Sequence, residues 1–287
     1  MLIFNNFFQI SVILLYITFA PSSDLSLNIA ERFFNLGDYY IAITEYERFI
    51  FFNSDTNNEN ISYAYYKIGL AYRNQQKWNE CIDAFQKSIQ TALAESTRDE
   101  RKIDLAVALI SSGDYNGAEF LLIKLEMFSQ VQEIKLKAAF FRAISSLYSF
   151  KWKQAKEAFS FCFPNIQSES QKKLKQVYSL IANAEHVKYR SPQLAKIFST
   201  ILPGSGQIYA GNWANGINAL LINIATGYLF INDILNRQYF NAIFNTLFIF
   251  ERFYSGNRFN AEESAKKHNY QINKSFLDRI LKIISSI

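Results

Sequence analysis

Proline and glycine are scarce in this chain of 287 residues, which has four of the first and ten of the second. An all-β fold spends such residues on a turn every few positions, so their scarcity leaves helices as the main element. Histidine is rarer still. His186 and His268 lie far apart and have no Cys or His partner at ligand spacing, which excludes a metal site of the usual kind. No block of Lys or Arg interleaved with aromatics occurs. The net charge of +5, from 30 basic and 25 acidic residues, is spread over a mixed surface and does not suit nucleic acid. Carboxylates are scattered, with no pair in an apolar setting. Gly204 and Gly206 have neither a following Gly-Lys-Ser/Thr nor the third glycine of a dinucleotide loop, and Ser205 is not at nucleophile-elbow spacing. The expectation is a protein that is not an enzyme and needs no cofactor.

What is abundant is apolar surface. Hydrophobic residues make up 49% of the chain, with 27 Phe and 17 Tyr, enough for a sizeable core. The first stretch, Leu2 to Ala20, is almost continuously apolar. Its run from Ile10 fits the apolar region of a signal peptide better than a full membrane span, although no Lys or Arg precedes it. Residues 1–22 are therefore expected to be a signal peptide or an N-terminal anchor, and the protein to be exported. No cysteine is near enough to the N-terminus for lipidation.

A repeat follows. Four turn signals align: Gly37-Asp38-Tyr39, Gln76-Lys77-Trp78, Gly113-Asp114-Tyr115 and Phe150-Lys151-Trp152, spaced by 39, 37 and 37 residues. Seven residues before each turn lies a small residue: Ala30, Gly69, Ala106 and Ala143. Five after it lies another, Ala42, Cys81, Ala118 and Ala155, and nine after it a bulky one, Tyr46, Phe85, Leu122 and Phe159. Two antiparallel helices approach closely only where small residues meet. The turn aromatic fills the wedge between them, and the bulky residue plugs the gap to the next hairpin. A hairpin leaves one face bare, so hairpins must stack. Cys81 and Cys162 fall in such packing positions two repeats apart. That is beyond the roughly 7 Å Cα separation a disulfide allows, so both read as small buried residues.

In these registered copies, clearest from Gly69 to Ile89, the sequence resembles the tetratricopeptide repeat family over about residues 24–164. Here the repeats exceed the usual length, and Arg142 stands where the other copies have Ile29, Ile68 and Leu105. The resemblance implies an all-α, right-handed solenoid of four helical hairpins. A helix at Ser168 to Tyr189 is expected to cap it, giving a repeat domain of residues 24–190. It also implies a concave groove lined by the first helices, to hold a protein partner. Carried over position by position, the groove comprises Phe34, Asn35, Tyr63, Tyr66, Arg73, Asn74, Ile103, Val107, Ile110, Phe140, Ile144 and Tyr148. Where some relatives carry a Lys and an Asn to clamp a peptide carboxylate, this chain has Tyr66 and Leu70, so the groove is expected to be apolar and aromatic.

Residues 191–287 form a hydrophobic C-terminal domain. Pro192 suits a first helical turn. A second turn, built on Pro203, Gly204, Gly206, Gln207, Tyr209 and Gly211, reads as an architectural reversal, with Tyr209 packing over it toward a helix starting near Gly216. With Gly216 to Asn223 and the Gly256-Asn257-Arg258-Phe259 segment, it resembles a module of exported bacterial repeat proteins of unknown function. Gly216 to Leu235 is long enough to cross a bilayer and Tyr239 to Tyr254 is short. If both insert, Asn218 and Asn223 should face Asn241 and Asn245; a soluble domain docked on the repeats is the other reading. Lys274 to Ile287 is amphipathic and suits either a membrane interface or a core. The resulting expectation is a scaffold at the cell envelope, its repeats outside the cytoplasm and its C-terminal helices on a membrane. The alternatives are a membrane subunit of a transport or secretion assembly, or a soluble adaptor.

Overall fold

The structure, a computed structural model, describes residues 23–53, 59–162 and 168–286. The expected signal peptide and the end of the fourth repeat at Pro164 lie outside them. The described chain is helical and contains no strand. Its contacts divide it into two compact units, one through residue 165 and one from residue 166 on.

The first unit holds eight helices among the described residues. They are α1 (Ser23–Asn35), α2 (Tyr39–Phe52), α3 (Glu59–Asn74), α4 (Trp78–Thr91), α5 (Glu95–Ser112), α6 (Tyr115–Phe128), α7 (Gln132–Tyr148) and α8 (Trp152–Cys162). Each packs on the next in sequence, which makes four hairpins in a row. The register read from the sequence is the register of the core. Ala30, Ala42, Cys81, Ala106, Ala118, Ala143 and Ala155 are fully buried, and so are the plugs Tyr46, Phe85, Leu122 and Phe159. At Gly69 a Cβ would lie 2.5 Å from the Phe85 ring, so the small residue is a steric requirement. Both cysteines are free and buried, and burial pushes their thiols up, Cys81 to about 11 and Cys162 to about 12.

All four hairpin turns close in the same way. The first residue of each signal is left-handed: Gly37 at φ 81°, Gln76 at 58°, Gly113 at 91° and Phe150 at 57°. The next amide reaches back five residues, as in Asp38 N to the Phe33 carbonyl at 3.0 Å and Lys151 N to that of Ser146 at 2.8 Å. This closure satisfies the last carbonyls of the first helix. Asp38 and Asp114 then cap the second helix through the amides of Ile41 and Gly117.

The second unit begins with α9 (Ser168–Glu185), the helix expected to cap the repeats. The division by contacts groups it with this unit, where it packs along the last helix, with Val177 and Ile181 fully buried. Next come α10 (Pro192–Ile201), the short α11 (Ser205–Tyr209), α12 (Trp213–Leu235) and α13 (Tyr239–Phe244). After α13 the chain stays helical through a π-helical stretch, Asn245–Phe250, into α14 (Glu251–Ile284). From sequence alone, the apolar stretch to Tyr254 and the amphipathic helix from Lys274 read as separate elements. The structure joins them, because no proline or left-handed residue interrupts the run. Leu277 and Ile280 of that amphipathic end are buried in the unit's core.

Candidate functional site

The groove residues of the first unit are less free than an apolar trough would require. Tyr63 Oη donates to Glu31 at 2.9 Å, Tyr46 Oη donates to the same carboxylate at 2.5 Å, and Lys67 pairs with it at 2.9 Å. Lys67 also lies 4.0 Å over the Phe34 ring. Burial alone would push Glu31 up, but the hydrogen bonds from Tyr46, Lys67 and Tyr63 hold its carboxyl below the usual range. Burial and the same carboxylate push the phenols up, Tyr63 to about 12. One repeat on, Asp104 accepts from Tyr66 Oη at 3.1 Å and from Arg73 at 3.2 Å, while Arg101 stacks 3.5 Å over the Tyr66 ring. Asn74 donates to Tyr39 Oη at 3.0 Å.

The remaining groove positions divide by depth. Asn35 is exposed, Ile103 is buried, and Val107, Ile110, Phe140 and Ile144 are half-buried. Phe140 sits edge-on to Phe159, and Tyr148 stacks on Tyr115 at 6.0 Å. From the first hairpin to the third the face is thus a charged and hydroxyl-bearing network, and only toward the fourth is it apolar. The reason is geometric: consecutive first helices are close enough for Tyr, Lys, Arg and carboxylate side chains to tie one repeat to the next.

Arg142, the departure from the repeat pattern, has the same role. It forms a bidentate pair with Glu126 at 2.5 and 2.9 Å, both side chains largely buried. Lys151 joins the fourth turn to Glu119 of the third hairpin at 2.6 Å. One surface escaped the sequence reading. Phe120, Ile123, Met127 and Phe128 are exposed on α6, a second helix rather than a first one. The signal was available, since α6 carries apolar residues on every face between its few polar ones and cannot bury them all.

In the second unit the Pro203–Gly211 turn is built as a reversal. Gly204 adopts φ 94°, and a Cβ there would meet the Gly216 carbonyl at 2.1 Å. A Cβ on Gly206 would lie 1.9 Å from the Ala195 carbonyl. Gln207 is buried and fully engaged. It accepts from Ser199 at 2.8 Å and donates to Asn257 Oδ1 at 2.6 Å. Asn257 belongs to the Gly256–Phe259 segment singled out in the sequence, so the two motifs meet. Pro203 follows the end of α10. Tyr209 packs against Ala195, Ala210, Ala261 and Ala265. Its ring is edge-on to Phe198 at 5.2 Å, and its hydroxyl accepts from the Ser191 amide at 3.1 Å. Ile208 takes the place beside Gly216.

The turns at Gly211 and Arg237 repeat the first unit's closure, with φ 81° and 59° and amides reaching back five residues from Asn212 and Gln238 at 2.8 Å each. Their aromatics, Trp213 and Tyr239, are 63% and 60% exposed, whereas Trp152 of the repeats is 5% exposed. On α12 a band including Ile217, Leu221, Ile224, Tyr228 and Ile231 is also exposed. The polar pairing across the hairpin differs from the expected one. Asn245 donates to Asp233, Asn241 bonds Gln238 at 3.1 Å, and Asn223 bonds the Ala219 carbonyl of its own helix at 2.7 Å. No group of His, Cys, Asp and Glu able to hold a metal occurs among the described residues.

A search of curated proteins finds no match to this chain. A family model described as a tetratricopeptide repeat matches residues 63–91, which is most of α3 and all of α4, the hairpin in which the sequence pattern is clearest. Repeats of this family generally mediate protein–protein interaction and are typically not catalytic. The matched hairpin, standing in a row of four alike, supports the tetratricopeptide repeat family as the relationship of this chain.

Proposed function

We propose that this protein is an exported, non-enzymatic scaffold of the bacterial cell envelope. Its hairpins stack as a right-handed solenoid that holds a protein partner outside the cytoplasm, and its C-terminal helices fix it to a membrane. The observation that carries the membrane part is α12. It has 23 residues, and the 18-residue apolar window within it is only 17% buried. At about 1.5 Å per residue such a helix exceeds the roughly 30 Å of a bilayer's hydrocarbon core. Exposed Trp213 and Tyr239 flank it, where amphipathic rings favour the two interfaces.

The helix's polar groups suit such a setting because several bond inward. Thr226 donates to the Ile222 carbonyl at 3.0 Å, and Asp233 receives Asn245 from the returning arm. A soluble unit would have to leave this band against water. The test is fractionation of cells followed by carbonate extraction, with protease added to spheroplasts. The reading expects the protein in the carbonate-resistant pellet and its repeats digested. Release by carbonate would remove the membrane part, and repeats that stay intact while a periplasmic control is cut would remove export.

A further inference from the structure

One side of α10 is seated and the other is bare. Ala195 is fully buried with Ala261 and Ala265 of α14, and Ser199 is fully buried as well. Leu194, Ile197, Phe198, Ile201 and Leu202 recur every three or four residues, and all are exposed. The stripe carries no charge. The one charged residue of α10, Lys196, pairs with Glu262 at 3.3 Å. The direction of the helix is fixed by its partners on α14. Arg190, just ahead of α10, bonds Asn269 through its amide at 3.0 Å and its carbonyl at 2.8 Å. Further along, the Ser199 carbonyl accepts from Asn257 at 3.4 Å and the Thr200 carbonyl from Tyr254 Oη at 2.7 Å. As α10 advances, its partners on α14 recede from 269 to 254, so it runs along the α12–α14 hairpin and not across it.

A helix that crosses a bilayer with α12 thus takes α10 in with it. The reversal after α10 touches α12 below its first turn, since a Cβ on Gly204 would meet the Gly216 carbonyl at 2.1 Å and the Leu220 amide nitrogen at 3.2 Å. Those residues lie roughly 5–10 Å past Trp213 at about 1.5 Å per residue. Ile217 and Leu221 flank the point of contact and are exposed, so the α10 stripe adjoins the band of α12. The end of α10 is also sealed without water. A helix C-terminus leaves its last carbonyls open, and in hydrocarbon each must find a partner within the protein. Phe198 O accepts from the Leu202 amide at 2.9 Å, and Asn257 and Tyr254 serve those of Ser199 and Thr200. Leu202 O receives both the amide and the hydroxyl of Ser205, at 3.0 and 2.7 Å. The asparagine-lined cleft of about 580 Å³ between α12 and α14 is the contrast, because the Oδ1 of buried Asn223 has no partner there.

We propose that α10 and α11 form a re-entrant helical hairpin, which dips into the leaflet that α12 enters first and turns back at Pro203–Gly206, with the stripe from Leu194 to Leu202 packed against phospholipid acyl chains. The inference rests on the membrane reading of α12 above, and the experiment separates the failure of one from the failure of the other.

Leu194→Cys, Ile197→Cys and Ile201→Cys are made one at a time in the full-length protein, with Ile224→Cys as a reference inside the α12 band. All four positions are exposed, Ile201 by 78%, so a label there leaves the packing alone. Cys81 and Cys162 stay unlabelled near neutral pH, because both are buried and their thiols are pushed up to about 11 and 12. Each variant carries an environment-sensitive fluorophore and is reconstituted in phosphatidylcholine vesicles. Lipids brominated near the headgroup or far down the chain read depth, and aqueous iodide reads water. The Ile201 label should lose emission to chain-brominated lipid and resist iodide. That loss should fall through Ile197 to Leu194, which should respond mainly to bromine near the headgroup. Equal, shallow quenching at all three would describe a helix lying flat in the interface and would overturn the proposal. So would iodide quenching at Ile201, or a label there silent to both quenchers, as when the repeats or a second copy cover the stripe. In those cases an Ile224 label quenched by chain-brominated lipid leaves the membrane reading of α12 standing. An Ile224 label open to iodide removes that reading, and this one with it.

Discussion

The two units make the same turn and put it to different uses. In the repeats, a left-handed residue closes the helix and an aromatic two positions later is packed by the hairpin architecture, down to 5% exposure at Trp152. In the C-terminal unit, Gly211 and Arg237 close their helices identically, yet Trp213 and Tyr239 stay exposed. Local sequence sets the reversal, while the presence or absence of a covering hairpin sets the fate of the aromatic. Polar chemistry differs in parallel. The repeats spend theirs between neighbouring hairpins, on Glu31, Asp104 and Glu126. The C-terminal unit spends its own on one buried hub around Gln207 and on a cleft with unmatched groups.

The largest expected effect breaks one unit and spares the other. Gly206→Val places a side chain where a Cβ already lies 1.9 Å from the Ala195 carbonyl, so α10 and α11 cannot stay in contact. Limited proteolysis of the full chain should show residues 166–287 degraded and the repeats resistant. Loss of both together would show that the units fold as one. Next is Glu126→Ala, which leaves Arg142 buried without its partner and should cost about 3–5 kcal/mol. The double variant Glu126→Leu, Arg142→Ile restores the apolar pattern of the other repeats and should recover much of the loss in a denaturant melt. No recovery would mean that the pair is needed for register.

Ala118→Phe overpacks a fully buried contact and should cost about 1–3 kcal/mol, lowering the melting temperature of the repeats as a block. An unchanged melt would refute the register. Smaller still, Gln76→Gly and Arg237→Gly relieve left-handed backbone in the two units and should each stabilise by up to about 1 kcal/mol. A gain in one unit only would show that the turns are not equivalent. The last effect appears only in alkali. Tyr63 is held up to about 12, above its unfolded value near 10, so its contribution is complete below about pH 10 and is lost as pH rises toward 12. Melts between pH 9 and 12 should show the repeats weakening, and Tyr63→Phe should flatten that fall.

The repeat core was legible because it is local. Ala30, Gly69, Ala106 and Ala143 recur at fixed distances from a turn, and a stack contacts only its neighbours, so spacing in the chain maps directly to spacing in the core. The groove was legible as a set of positions but not as a surface, since nothing in a single repeat says that Glu31 receives Tyr46, Tyr63 and Lys67 together. Arg142 looked like an irregularity for the same reason: its partner lies on the preceding hairpin. Gly211 was legible as part of a turn, but its likeness to the repeat closures, and the closure at Arg237, were not, because a left-handed residue there can be Gly, Gln, Phe or Arg, and only the backbone reveals the identity of the turn.

By itself, then, the sequence determined that the chain is helical, where its hairpins reverse, and which small and bulky residues meet inside them. Helical periodicity and turn chemistry act over a few residues and are written there directly. Tertiary structure decided what α9 packs against, which asparagines found partners, that one helix runs from Glu251 to Ile284, and that α12 keeps an exposed apolar band beside a polar cleft. Those outcomes depend on side chains distant in sequence arriving at the same place, and on which helix faces remain once the core is full.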